Sequence, residues 1–281
     1  MKNIIKIFTI CLLIIVNLSC ITVKAEVSER EFWDTKILRH AMGGIEDENG
    51  KHVYNNTVEA LENSIKLGYK TIEIDLILTK DNKLVCSHGW SYETYKNTGV
   101  EYDSENPVMT YDEFMNTKIQ GKYTTMDAET WLKYAISNPD IMWEIDFRTL
   151  DDKQANMTAI KLKQLFRKNE YLLDRVMLQV GTKEMYNQFH KYLKTAKHYQ
   201  YFIHKKELKI IDEIIDFCVN NKIESIAVNY KYMTKKRVKK IHDANIKILC
   251  YTIDNIDLAQ DMLNMGADCI CSNFLFDVDL Q

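Results

Sequence analysis

Four carboxylates and two histidines stand where this chain has little structural reason to place them. In "YKTIEIDLILTKDNKLVCSHGW", residues 69 to 90, Glu73 and Asp75 interrupt Ile72, Ile74 and Leu76. In "IMWEIDFR", Glu144, Asp146 and Arg148 alternate in the same way with Trp143, Ile145 and Phe147. Successive side chains along a strand point to opposite faces, so each segment carries one apolar and one charged face. Carboxylates that close, drawn out of water, repel each other and need a cation or a raised pKa. No cysteine or histidine is interleaved among them, so this is an oxygen-donor set, suited to one hard divalent cation, Mg²⁺ or Ca²⁺. The competing reading is a network of structural salt bridges. His40 ends the first expected strand, in "ILRHAMGG", and His88 ends "LVCSH". Two imidazoles beside such a site can work as an acid/base pair.

Such a site needs a scaffold that brings separate strands to one interior. From residue 35 onward the chain alternates strand-like with helix-like segments. Strands are expected at 37–41, 71–78, 83–88, 141–147, 175–180, 199–204, 225–229, 246–252 and 268–272. Helices at about 158–170, 183–195 and 207–221 separate several of them. In "NNTVEALENSIKLGYKTIEIDL", Asn56 and Glu59 resemble a capping box and Gly68 ends the helix. Near the C-terminus, Thr234 opens a helix with Val238 and Ile241 inside, and Asp254 is expected to cap the next one, which Gly266 ends. Lys235, Lys236, Lys239 and Lys240 read as a solvated helix face. Such alternation over one uninterrupted segment, with two prolines in the whole chain, predicts a single (β/α)8 TIM-type barrel. Nine strands are one too many, and "KDNK" supplies the excess as a tight turn making a hairpin at the mouth. Residues 89–128, polar and tyrosine-rich, form a long insertion at the C-terminal mouth, expected to act as a lid or specificity loop. His40 and His88 fall at the strand ends where such barrels keep their catalytic groups.

Composition narrows the function class. The 281 residues are 46% hydrophobic and 27% charged, with a net charge of −3. That gives enough apolar residues for a core and no basic surplus for nucleic acid. The start, "MKNIIKIFTICLLIIVNLSCITVKAE", has early lysines, an apolar run and a small-residue site ending at Ala25. This predicts a signal peptide over residues 1–25, and hence a secreted or cell-envelope protein with its barrel domain over 26–281. "NLSC" also reads as a lipoprotein box, and the uncleaved segment as an N-terminal anchor close to a membrane. Five cysteines remain after Ala25, an odd number without a CxxC, most of them in apolar runs, which favours small buried hydrophobes.

The ordered segments "HAMGG", "NNTVEALE", "IEIDLILTKDNKLVCSH", "IDFR", "CYTIDN" and "GADCICSN" resemble the glycerophosphodiester phosphodiesterase family, within the phosphatidylinositol-phospholipase-C-like group. The resemblance runs from residue 37 to about 275. It implies catalytic roles for His40 and His88, and a metal held by Glu73, Asp75 and Asp146, with Glu144 as a substitute for, or companion to, Asp146. Arg148 stands where the family has a lysine. Ala41 replaces an arginine that helps hold phosphate, and Gly89 replaces an aspartate after the second histidine. Gln179, Trp90 and Asn229 are further candidates for lining a substrate pocket. The substrate implied is a small phosphodiester or a glycerophosphate unit of an envelope polymer. The same residues also suit a lyase that releases a cyclic phosphate, and the departures leave room for a barrel that only binds a headgroup or glycan.

Overall fold

Alternating apolar residues along eight short segments give strands that pair in parallel and close on themselves. The computed structural model describes residues 31–147 and 151–280; the proposed export segment and Arg148 lie outside them. After β1 (Ile37–Arg39) come a small hairpin, β2 (Ile45–Asp47) and β3 (Gly50–His52), then α1 (Val58–Lys66), β4 (Thr71–Leu78) and β5 (Leu84–Cys86). The insertion holds α2 (Tyr92–Thr98), α3 (Tyr111–Asn116) and a short hairpin of β6 (Lys118–Ile119) and β7 (Tyr123–Thr124). Regular alternation then resumes with α4 (Ala128–Ser137), β8 (Met142–Phe147), α5 (Asp152–Phe166), β9 (Val176–Val180) and α6 (Lys183–Tyr192). It ends with β10 (His198–Phe202), α7 (Ile211–Asn220), β11 (Ser225–Asn229), α8 (Lys235–Asp243), β12 (Lys247–Tyr251), α9 (Ile256–Met265) and β13 (Cys269–Ser272).

The barrel order is β1-β13-β12-β11-β10-β9-β8-β4, and Arg39 pairing with Ile72 closes the ring. The ninth strand is the expected hairpin partner. β5 runs antiparallel to β4, with Leu76 opposite Cys86, and occupies the stretch of β4 beyond the pairing with β1. Outward residues such as Ile72, Ile74, Trp143 and Ile145 pack under the helices in one large core. A separate inner cluster of Phe32, Leu38, Met142, Met177, Ala227, Leu249, Cys269 and Cys271 fills the barrel. Along β8 the inward face therefore changes from Met142 to Glu144 and Asp146, apolar at the N-terminal end and acidic toward the mouth.

Three local expectations are corrected. Thr57 caps α1, its side chain accepting from the Ala60 amide, because Asn56 is engaged elsewhere. Asn255 caps α9 in place of Asp254, whose carboxylate is likewise engaged elsewhere. The helix expected from about 158 begins at Asp152, where Asp151 and Gln154 form a capping box. The five cysteines are free and buried, as the sequence reading holds.

The insertion is tied down rather than loose. Lys122 reaches Asp47 at 2.7 Å, the Tyr123 hydroxyl donates to Asp47 at 2.5 Å, and the Thr124 amide donates to Glu59 at 2.8 Å. These bonds fasten it to the β2–β3 hairpin and to α1, making it a fixed wall beside β1 and β4.

Candidate active site

Register places the acids together. β4 and β8 are parallel neighbours in which Glu73 stands beside Glu144 and Asp75 beside Asp146, all on the barrel's inner face. Ligand oxygens of Glu73, Asp75 and Asp146 lie within 4.8 Å of one another. Burial, and then the charges of Asp75, Asp146 and Glu144, raises the Glu73 carboxyl well above its usual range. Burial, and then Asp146 and Asp75, does the same to Glu144. Oδ1 of Asp75 and Oε2 of Glu144 are buried and accept no hydrogen bond from the described residues. Buried carboxylate oxygens without donors suit a hard cation, which supplies the missing positive charge. His40, Glu73 and Cys271 also converge, but burial and the charges of Glu73 and Glu144 raise the Cys271 thiol, keeping it protonated. The donor set that fits is therefore oxygen, as read from the strand pattern.

Each acid is aimed by its surroundings. The Asn56 side chain donates to Asp75 Oδ2 at 2.7 Å and accepts from the Asp75 amide at 3.0 Å. Asn56 itself adopts φ 47°, a left-handed conformation that asparagine tolerates better than most residues. After β1 the chain turns through Ala41 at φ 49° and Met42 at φ 63°, and the Ala41 amide donates to Glu73 Oε2 at 2.9 Å. Gly43, at φ 113°, completes that turn, because a Cβ there would fall 2.4 Å from Arg39 Nε and Ser64 Oγ. Successive left-handed residues cost energy, and here they point one histidine and one amide into the barrel.

His40 is buried, its Nδ1 2.7 Å from Asn273 Oδ1 and its Nε2 3.8 Å from Glu73 Oε2. Asn273 Nδ2 donates to Asp254 Oδ2 at 2.8 Å, which fixes the amide's orientation and presents its oxygen to His40. Nδ1 of His40 therefore carries a hydrogen, and Nε2 is the nitrogen that faces the acids. His88 approaches across Tyr54, whose ring centroid lies 4.8 Å from that of His40 and 4.3 Å from that of His88. His40, Tyr54, Glu73, His88, Glu144, Asp146, Gln179, Phe202 and Tyr251 line one cavity of about 130 Å³ with its mouth at the C-terminal strand ends. A larger groove of about 890 Å³ near α4 and α5 contains none of these residues.

The sequence candidates separate cleanly. His40, His88, Glu73, Asp75 and Asp146 meet at the site, Glu144 joins them, and buried Gln179 lines the cavity. Trp90 does not line it. Its indole N–H donates to the Leu78 carbonyl at 2.9 Å and its ring packs edge-on against Phe114, pinning the insertion. Asn229 is likewise outside, its side chain accepting from the Lys231 amide at 3.0 Å. Arg39, the nearest arginine to the vacant Ala41 position, is buried against Tyr69 and Ser64 behind the strand. Tyr54, Asn56, Asp254 and Asn273 were not singled out as site residues. Asn56, Asp254 and Asn273 lie inside the family-like segments of the sequence, which is their one visible signal.

The family model for the glycerophosphoryl diester phosphodiesterase family matches residues 48–276. The chain belongs to that family. Its members hydrolyse glycerophosphodiesters, and this protein is a phosphoric diester hydrolase of that kind. Among solved structures, a putative glycerophosphodiester phosphodiesterase from Galdieria sulphuraria is similar over 85% of this chain and 94% of its own, with TM-score 0.68 and 18% identity. One from Thermotoga maritima shares 19% identity over 85% of this chain and 94% of its own, with TM-score 0.61. An Oleispira antarctica phosphodiesterase, solved with its product sn-glycerol-3-phosphate, covers 85% of this chain and 92% of its own at 14% identity, with TM-score 0.60. At these identities the likeness concerns the fold. No curated protein matches by sequence.

Proposed function

We propose that this protein hydrolyses the P–O bond of a glycerophosphodiester outside the cytoplasm. One divalent cation, Mg²⁺ or Ca²⁺, would be held by Glu73, Asp75 and Asp146, with Glu144 beside them. The observation that carries the reading is the in-register meeting of these carboxylates, with donor-free oxygens, between two histidines across one small cavity. When bound, such an ion neutralises phosphate charge and stabilises the charge that develops on it.

The chain's own groups handle the protons. His40 keeps its Nδ1 hydrogen committed to Asn273, so Nε2 is the atom that takes or gives a proton. His88 faces the same cavity from the other side of Tyr54. One imidazole deprotonates the attacking water and the other protonates the departing alcohol, leaving a phosphomonoester and a free alcohol. The usual phosphate-binding arginine is replaced by Ala41, so phosphate contact would fall to the ion, when bound, and to buried Gln179, with the Arg148 guanidinium standing in the sequence where the family has a lysine.

The test is choline release from glycerophosphocholine with Mg²⁺, with Ca²⁺ and with chelator, for the wild type and for His40→Ala and His88→Ala. Turnover that survives chelation rules out the metal, and turnover that survives either substitution rules out the histidine pair. Phosphorus NMR of the product separates hydrolysis from cyclisation, since a persistent cyclic ester excludes direct attack by water. Binding without turnover under any divalent ion leaves a headgroup-binding barrel. Export is checked by sequencing the N-terminus of the mature protein from the host's extracytoplasmic fraction.

A further inference from the structure

One tyrosine touches both catalytic histidines. Tyr54 lies in the connection between β3 and α1, half-buried, with its ring centroid 4.8 Å from that of His40 and 4.3 Å from that of His88. Its backbone is left-handed, at φ 59°, and among the described residues it is the one aromatic residue in that conformation. A bulky side chain is costly there, because its Cβ crowds the following carbonyl. The surrounding bonds hold it in place. Asn55 Nδ2 donates to the carbonyls of Gly43 and His52, each at 3.0 Å, and the Asn56 amide donates to the Ala41 carbonyl at 3.2 Å. Asn56 is also bound through its side chain to Asp75. Tyr54 belongs to neither apolar cluster, so core packing does not account for it. Strain that the surroundings enforce at a reactive centre argues for a function.

The function follows from space. A reacting phosphate must reach a nitrogen of each imidazole, and Tyr54 touches both rings, so the carbons attached to its ester oxygens pass against Tyr54. The far side of the cavity is walled by Phe202 and Tyr251, whose stacked rings have centroids 5.0 Å apart. In the closed ring of strands, β10, which carries Phe202, lies across from β1. The cavity measures about 130 Å³. A water molecule takes about 30 Å³ of liquid, so a phosphate group fills most of that space.

We propose that Tyr54 determines specificity, as a fixed post that admits diesters of two primary alcohols and rejects those in which a secondary ring carbon bears one ester oxygen. This rests on the phosphodiesterase reading above and narrows its substrate class. A primary alcohol presents a CH₂ beside the oxygen and can turn its chain out through the mouth. A ring alcohol such as that of inositol presents a CH with two carbon branches, and one branch meets Tyr54 or the wall of Phe202 and Tyr251. The tyrosine ring does this, and its hydroxyl is not required. Pinned through Asn55 and Asn56, the post does not swing aside to make room.

The experiment compares glycerophosphocholine, a diester of two primary alcohols, with glycerophosphoinositol, in which one alcohol is a secondary ring hydroxyl. Both are assayed with Mg²⁺ and with Ca²⁺ on the wild type, Tyr54→Phe and Tyr54→Gly. Glycine suits a left-handed backbone, so Tyr54→Gly removes the ring without straining the loop. The readout is the ratio of kcat/KM for the two diesters, which a general loss of activity leaves unchanged. The wild type should favour glycerophosphocholine by about 10–200-fold, the discrimination that a single methylene supports, or by more. Tyr54→Phe should keep that ratio, and Tyr54→Gly should lose most of it. Equal turnover of both diesters by the wild type, a Tyr54→Gly ratio like that of the wild type, or a ratio already lost in Tyr54→Phe overturns the proposal and leaves the phosphodiesterase reading intact. If the wild type turns over neither diester, that reading falls instead. Calorimetric Kd values for the two diesters on the wild type and Tyr54→Gly then decide the steric claim, and they decide it too if Tyr54→Gly alone is inactive. A wild-type preference that the variant lacks upholds it; equal preferences, or no binding, overturn it.

Discussion

Replacing Asn273 with alanine removes the acceptor that holds His40 and leaves every metal-ligand candidate untouched. Asn273 is buried, takes the His40 Nδ1 hydrogen at 2.7 Å, and donates to Asp254 at 2.8 Å. Asp254 keeps its bonds from Ser272 Oγ at 2.8 Å and from the residue 273 amide at 2.7 Å, so its carboxylate is not stranded. The stability cost should then be that of an ordinary hydrogen bond or two, about 1–2 kcal/mol. The catalytic cost should be larger than such a figure suggests, because His40 loses both its orientation and its fixed tautomer. Outer partners of this kind are worth about 10–100-fold. That corresponds to about 1.4–2.7 kcal/mol in the barrier. The loss should appear in kcat, with KM and the stabilisation by added metal nearly unchanged. Asn273→Asp combined with Asp254→Asn, which keeps a donor between two side chains that would otherwise be facing carboxylates 2.8 Å apart, offers the sharper readout. A carboxylate at the same place restores the tautomer and favours the imidazolium, so the limb of the pH–rate profile that belongs to His40 should move to higher pH. A kcat for Asn273→Ala equal to wild type, or an aspartate variant whose profile overlays that of the parent, would refute the positioning role.

Three further outcomes can be measured without a substrate. Saturating Mg²⁺ or Ca²⁺ at about 100 times its Kd should stabilise the wild type by about 2.7 kcal/mol. Scanning calorimetry should show that gain, and Asp75→Asn should remove most of it; an equal gain in both proteins would exclude the acidic site. In metal-free protein Glu144 has a folded-state pKa above its ordinary value, chiefly through burial, so it opposes folding at neutral pH and ceases to do so as pH falls below the ordinary carboxyl range. Glu144→Gln should therefore raise Tm in chelator at neutral pH, and a lowered Tm would contradict this. Far from the site, the bond that His198 Nδ1 donates to the Glu224 carboxylate, at 3.0 Å, raises the pKa of His198 above 6.5. Its stabilising effect is full below that value and fades as pH climbs through the raised one, so Glu224→Gln should cost more in urea unfolding at about pH 5.5 than at about pH 9. Equal costs would show that the pair contributes nothing.

The acidic faces were legible because a strand's two-residue period is local. Once Ile72, Ile74, Trp143 and Ile145 are assigned to the helix side, Glu73, Asp75, Glu144 and Asp146 have one direction left. The hairpin at "KDNK" and the caps at Thr234 and Gly266 were readable for the same reason, each being settled within a few residues. Asn56 and Asp254 misled because a good capping residue was adjacent. Thr57 and Asn255 could do that task, which freed Asn56 for Asp75 and Asp254 for Asn273. Trp90 and Asn229 sat at plausible strand ends, but whether a side chain there turns toward the axis or into a neighbouring loop depends on packing that strand periodicity does not contain.

By itself the sequence determined the barrel class, the inward direction of four acids and the presence of histidines at two strand ends, since alternation and chain order are properties of single segments. The tertiary structure alone decided that Glu73 stands beside Glu144 and Asp75 beside Asp146, because register between strands is set by ring closure. It also decided that Asn273 reaches back across the closure to hold His40 and that Tyr54 lies against both imidazoles. Those relations join residues far apart along the chain. They exist only once the first strand meets the last.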